Sequence, residues 1–244
     1  MRQEKKHRGG RSAFIFLWML LFFTGACSKE HAEIPVMPVP QDTTPASFSY
    51  LALGDSYTIG QSVAIEERFP VQAVSMLRQQ GVQINLPAIV ATTGWTTDNL
   101  LNALAANPPA KNYALVTLLI GVNNQYQGRS QEEYRSEFSN LLGKAIEYAG
   151  GRKSRVFVLS IPDYSVTPFA QNSDTVTISN EIDAFNAINR QISQEVGVRY
   201  LDITDISREG RYDAEMNAAD GLHPSGKQYR KWAALLAPLM KAAL

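Results

Sequence analysis

A single cysteine, Cys27, stands in 244 residues, which excludes an internal disulfide and any metal site built from several thiolates. Histidine is scarce as well, with His7, His31 and His223 alone, so the paired spacing of a zinc site is missing. Neither sign of charge prevails, at 23 Lys and Arg against 23 Asp and Glu, and the basic surface a nucleic-acid binder needs is not there. No phosphate-cradling loop or dinucleotide fingerprint occurs, so no metal or organic cofactor is expected. The longest apolar run, Ala13 to Phe23, falls short of the roughly 20 residues of a membrane span.

That run has the size of a signal-peptide core. A basic segment from Met1 to Arg11 precedes it, and the small residues Thr24-Gly25-Ala26 lead from it to Cys27. The pattern resembles a bacterial lipobox, in which the cysteine is diacylated and becomes the new N-terminus; Thr24 departs from the aliphatic residue such motifs prefer. Residues 1–26 are therefore expected to be a lipoprotein-type signal peptide, and the product to be exported and lipid-anchored to the bacterial cell envelope. Cleavage removes five bases and one acid, which leaves 18 against 22 and a net charge of −4. Residues 27–47 carry Pro35, Pro38, Pro40 and Pro45 among small polar residues, as in an extended tether.

Residues 48–244 suit one domain of ordinary size. Strand and helix patterns alternate along them, which predicts an α/β fold with a mostly parallel sheet. Strands are expected over Phe48–Ala52, Val82–Ala91 (bent at Pro87), Tyr113–Ile120, Val156–Ser160 and Val198–Ile203. Helices are expected over Phe69–Leu77, Thr96–Ala106, Ser130–Ala149, Ile178–Val196 and Gly226–Ala243, the last packing a Trp232, Leu235 and Leu239 face. Ser130-Gln131-Glu132-Glu133 reads as a near capping box.

The first strand runs into Leu53-Gly54-Asp55-Ser56, an order that turns the chain sharply and presents a serine hydroxyl at the strand's carboxyl end. In open α/β sheets ligands bind at that edge. A serine needs a base. With His7 in the leader and His31 in the tether, only His223 in Asp220-Gly221-Leu222-His223 remains. Asp220 can curl back to accept from the ring Nδ1–H, leaving Nε2 for a nucleophile. A lone Asp-x-x-His is more often an incidental surface loop; its pairing with the Ser56 turn argues otherwise. Asp55 is expected to order the turn. Gly94, in Thr92-Thr93-Gly94-Trp95, fits a loop whose N–H approaches a reacting oxygen, although a plain turn glycine reads the same way. In Gly121-Val122-Asn123-Asn124, after the plainest buried strand, an amide could donate to an oxyanion.

Gly54-Asp55-Ser56, Gly94, Gly121-Val122-Asn123 and Asp220-x-x-His223 in this order resemble the SGNH, or GDSL-type, hydrolases. The resemblance implies a three-layer α/β/α flavodoxin-like fold and a serine esterase, lipase, thioesterase or carbohydrate deacetylase. It implies a catalytic triad of Ser56, Asp220 and His223, and an oxyanion hole of Ser56, Gly94 and Asn123. Asn124 stands where the family has Asp. The substrate would be a small-molecule or glycan ester, with transfer to a sugar acceptor, or idle glycan binding on the same fold, as alternatives. Specificity loops are expected in 61–68, 125–129 and 161–177. Oligomeric state has no signature in the sequence.

Overall fold

The computed structural model describes residues 47–244; the expected signal peptide, lipidation site and tether at 1–46 lie outside the described residues. In chain order the domain runs β1 (Tyr50–Gly54), α1 (Ser56–Ile59), α2 (Phe69–Gln79), β2 (Ala88–Ala91), α3 (Thr97–Ala106), β3 (Leu115–Leu119) and α4 (Val122–Tyr126). It continues with α5 (Gln131–Tyr148), β4 (Val156–Leu159), α6 (Thr175–Val196), β5 (Arg199–Leu201), α7 (Thr204–Arg208) and α8 (Gly226–Ala243). The five strands form one all-parallel sheet in the order β2-β1-β3-β4-β5. Helices α2 and α8 pack together, and α5 packs against α3 and α6, which gives the three-layer α/β/α arrangement.

The apolar strands are the central ones. Every residue of β1, β3 and β4 is buried, while the edge strands β2 and β5 are half-exposed. Helices cover both faces of the centre, so its strands have no solvent side on which to alternate. Strand order reverses between β1 and β3, and such a switch point opens a crevice at the carboxyl ends. Register completes it: Gly54 pairs with both Ala91 and Leu119, so the chain leaves β1, β2 and β3 side by side. Gly54 allows this because a Cβ there would overlap Thr58 Oγ1 and the Leu119 carbonyl oxygen.

Three expectations need correction. The strand expected over 82–91 shrinks to Ala88–Ala91, with Ile84 making an isolated bridge to Phe48. Pro87 between them has no N–H to give the ladder. In α8 the buried stripe is Tyr229, Trp232, Ala233, Leu236 and Met240, while Leu235 is 45 % exposed. At 3.6 residues per turn Trp232 sits on the rim of that stripe, and a face counted from it in threes walks off the core. Ser130 does cap α5 by accepting from the Glu133 N–H at 3.1 Å. The Glu133 carboxylate instead pairs with Arg129 at 2.7 Å.

Candidate active site

Ser56 opens α1 with 5 % of its surface exposed, at the carboxyl end of a central strand. Asp55 is the helix cap: its Oδ1 accepts from the Tyr57 N–H at 3.0 Å, and its carbonyl accepts from Thr58 and Ile59. This matches the ordering role expected for it. The cap takes the Tyr57 N–H, while the Ser56 N–H, as the first of the helix, has no intrahelical acceptor. Asp55 is fully buried and its Oδ2 has no partner. Burial pushes its carboxyl up to about 7, against the pull of its backbone bonds.

Asp220 and His223 share the turn before α8. Asp220 Oδ2 lies 2.6 Å from His223 Nδ1, and Oδ1 accepts from the backbone N–H groups of Leu222 and His223, each at 3.0 Å. The Ser62 hydroxyl also donates to Oδ2, at 2.5 Å. Partial burial raises the Asp220 pKa, but these donors outweigh it and hold the carboxyl well below its ordinary range. His223 is 4 % exposed, with its ring 5.5 Å from that of Tyr57. With Nδ1 engaged by the carboxylate, Nε2 is left for another partner.

Asn123 and Asn124 open the short helix α4 and do different things. The Asn123 Nδ2 donates to the Trp95 carbonyl at 2.9 Å, which uses one amide proton and leaves the second. Asn124 is fully buried: its Oδ1 accepts from the Thr97 N–H at 3.0 Å, and its Nδ2 donates to Thr97 Oγ1 at 2.6 Å. Because Asn124 supplies that proton, the Thr97 hydroxyl can give its own to Glu137. A carboxylate at 124 could only accept, so it would compete with Glu137 for one hydroxyl. The departure from the family pattern thus fits a local hydrogen-bond chain that ties α4 to the start of α3. Gly121 before it must be glycine, since a Cβ would meet the Tyr134 hydroxyl at 2.5 Å.

A cavity of about 150 Å³ joins these parts, with Ser56, Asn123 and His223 in its lining. Tyr57, Val122, Tyr126, Tyr164, Phe169 and Leu222 form the rest of the wall. The rings of Tyr126, Tyr164 and Phe169 make a triangle with centroids 6.2–6.4 Å apart. Burial raises the Tyr164 phenol to about 12, so this group is neutral at physiological pH. Gly94 is exposed in the neighbouring loop, at φ 80 where residues with a side chain are strained, one position before the carbonyl that takes Asn123. It is not in the cavity lining.

The loops expected to set specificity are ordered. Tyr164–Val166 and Pro168–Ala170 are single 3₁₀ turns. Asp163 caps the first and is held by Ser179 Oγ at 2.7 Å and Arg208 Nε at 3.0 Å. Residues 125 and 126 belong to α4. Ser62, Thr97 and Arg208 are site-supporting residues absent from the expected set; nothing in their local sequence marks them. Among the described residues no cluster of three or more His, Cys, Asp or Glu could hold a metal ion.

Residues 52–231 match the GDSL-like Lipase/Acylhydrolase family. No curated protein matches the sequence closely. Among solved structures, TesA has 17 % identity and a TM-score of 0.64, over 80 % of this chain and 99 % of that one. A lipase from a goat rumen metagenome has 21 % identity and a TM-score of 0.63, over 79 % and 97 %. An acetyl xylan esterase from Geobacillus stearothermophilus has 18 % identity and a TM-score of 0.59, over 80 % and 96 %. These likenesses carry the fold, and the family match carries the chemistry of ester bonds. The chain belongs to the GDSL-like lipase/acylhydrolase family, and it is an ester-bond hydrolase on that family's α/β fold.

Proposed function

We propose that the protein hydrolyses carboxylic esters of short, uncharged acyl groups through an acyl-enzyme on Ser56. The observation that carries the reading is the 2.6 Å hydrogen bond between His223 Nδ1 and Asp220 Oδ2 on the wall of a cavity that Ser56 also lines. His223 Nε2 takes the proton from Ser56 Oγ as the oxygen attacks the ester carbonyl. Asp220 holds the resulting imidazolium. In this reading the tetrahedral oxyanion is met by the Ser56 N–H and the second amide proton of Asn123, both residues of the cavity lining, with the Gly94 N–H as a third donor from the exposed loop beside it. Collapse breaks the bond to the alcohol, which leaves with the proton from His223; water then enters through the same base and frees the acid.

The cavity supports the acyl class. A pocket of about 150 Å³ accommodates a benzene-sized guest. Among the described residues no charged side chain other than a protonated His223 faces it, so a charged acyl group would lose hydration without a partner. The Trp95 loop and the exposed Tyr126 and Phe169 rings at the mouth offer flat surfaces for the alcohol, as in a glycan ester. Export and a diacyl anchor on Cys27 belong to the same proposal and are supported by the leader's pattern. The deciding experiment is Ser56→Ala in the full chain, with turnover of short-chain esters and active-site labelling by a fluorophosphonate. Turnover should fall by several orders of magnitude, on the scale of ~10⁶ where one triad member is removed, and the label should vanish. A variant keeping a tenth of turnover would refute the nucleophile.

A further inference from the structure

The segment Gly60-Gln61-Ser62 leaves the nucleophile turn and bonds to that turn, to the loop before Gly94 and to the Asp220 turn. The N–H groups of Gly60 and Gln61 both donate to the Ser56 carbonyl, the latter at 3.1 Å. Gln61 Oε1 accepts from the Thr93 hydroxyl at 2.5 Å, beside Gly94. Ser62 Oγ donates at 2.5 Å to Asp220 Oδ2, the oxygen that lies 2.6 Å from His223 Nδ1. The other donors to Asp220 come from its own turn, Leu222 and His223. Ser62 is thus the contact that ties this carboxylate to the nucleophile's side of the crevice. Its backbone has φ 66, a left-handed conformation shared among the described non-glycine residues only by Asn112. Such strain persists where surrounding contacts hold it, and it gathers at functional sites.

We propose that Ser62 is a positioning residue of the Asp220–His223 pair, its hydroxyl fixing the carboxylate's plane and sharing the charge that the imidazole sees. The proposal rests on the triad reading above. Without the hydroxyl, Oδ2 would face His223 with more of its negative charge and less orientation. More charge favours the imidazolium, so His223 would titrate at higher pH; less orientation lowers turnover. Water reaches this bond, so the effect is moderate. The other ionisable groups around the corner are Asp55, Asp163, Glu67, Arg68, Tyr57, Tyr164 and Tyr229. Asp55 titrates near neutrality, so an activity profile alone would mix it with His223, and a signal from the imidazole itself is needed.

The test uses Ser62→Ala and Ser62→Gly in the full chain. Both lose the hydroxyl, while the glycine also relieves the positive φ. The imidazole C–H resonance of His223, assigned by its loss in His223→Gln, is titrated in a Ser56→Ala background where turnover plays no part. Its midpoint should rise by about half a pH unit in both variants, a fraction of the shift a full charge produces. With Ser56 intact, kcat should fall about tenfold in both, as for a misoriented base. An unchanged midpoint in either variant overturns the proposal. So does a kcat loss in the alanine variant that glycine restores, since strain and not the hydroxyl would then be the cause. Failure of the triad reading is separate: it shows as Ser56→Ala retaining activity, whatever His223 does.

Discussion

Asp55→Asn should make the protein's stability less sensitive to pH, in a defined window and direction. The carboxyl is fully buried, its Oδ2 has no partner, and its pKa rises from 3.8 to about 7 mainly through burial. Between these values the folded state keeps a proton that the unfolded state has lost. Stability from this group is therefore complete below pH 3.8 and is lost as pH rises through 7. Just over three units at ~1.36 kcal/mol each give a loss of about 4 kcal/mol across the window. Asparagine is as good a helix cap, and its Oδ1 can accept from Tyr57 as before. It has no titration, so the wild-type loss should be missing from the variant. Asp163 and Asp220 are shifted downward and gain stability over a more acidic range, but they are common to both proteins and cancel in the difference. Urea unfolding at pH 4 and pH 8 measures it. The stability of the variant relative to wild type should improve by about 3–4 kcal/mol between the two pH values, most of the full window. Parallel pH curves for the two proteins would show that Asp55 is ionised in the folded state, and the account of the nucleophile turn would have to change.

Asn123→Ala should lower kcat by ~10²–10³ with little change in KM, because the amide acts on charge that exists only in the transition state. Asn124→Ala should cost about 2–3 kcal/mol of stability by stranding the buried Thr97 groups, with a much smaller loss of kcat; chemical denaturation and steady-state kinetics on both variants would expose a reversed ranking. Trp232→Ala empties a fully buried site between α2 and α8, and a loss of ~3–5 kcal/mol in urea unfolding is expected. Phe169→Ala opens one side of the aromatic triangle, so kcat/KM across a series of acyl lengths should shift toward longer chains; an unmoved optimum would place the acyl group elsewhere. Mass spectrometry of the mature protein from its native host should find a diacylated Cys27 at the N-terminus, and any unmodified residue there would refute the anchor.

The central strands could be read from the chain because burial on both faces imposes unbroken apolar runs, as in Tyr113–Ile120, and no partner strand need be known to see one. Ser56 and His223 could be paired from the chain for a chemical reason: the proposed nucleophile needs a base, and only one histidine stands outside the expected leader and tether. Edges were less legible. Whether residues 82–86 join a ladder depends on Pro87 and on the strand beside them, so the strand is Ala88–Ala91 and Ile84 makes only an isolated bridge. The buried stripe of α8 likewise follows from its contact with α2, which left Leu235 in water. Tertiary structure alone decided what holds the site. Asn124 meets Thr97 across 27 residues, and Ser62 meets Asp220 across 158, through bonds between side chains with no local pattern. Sequence periodicity reports the neighbours a residue has along its own element; a carboxylate's partners are set by which loops the sheet's register brings together.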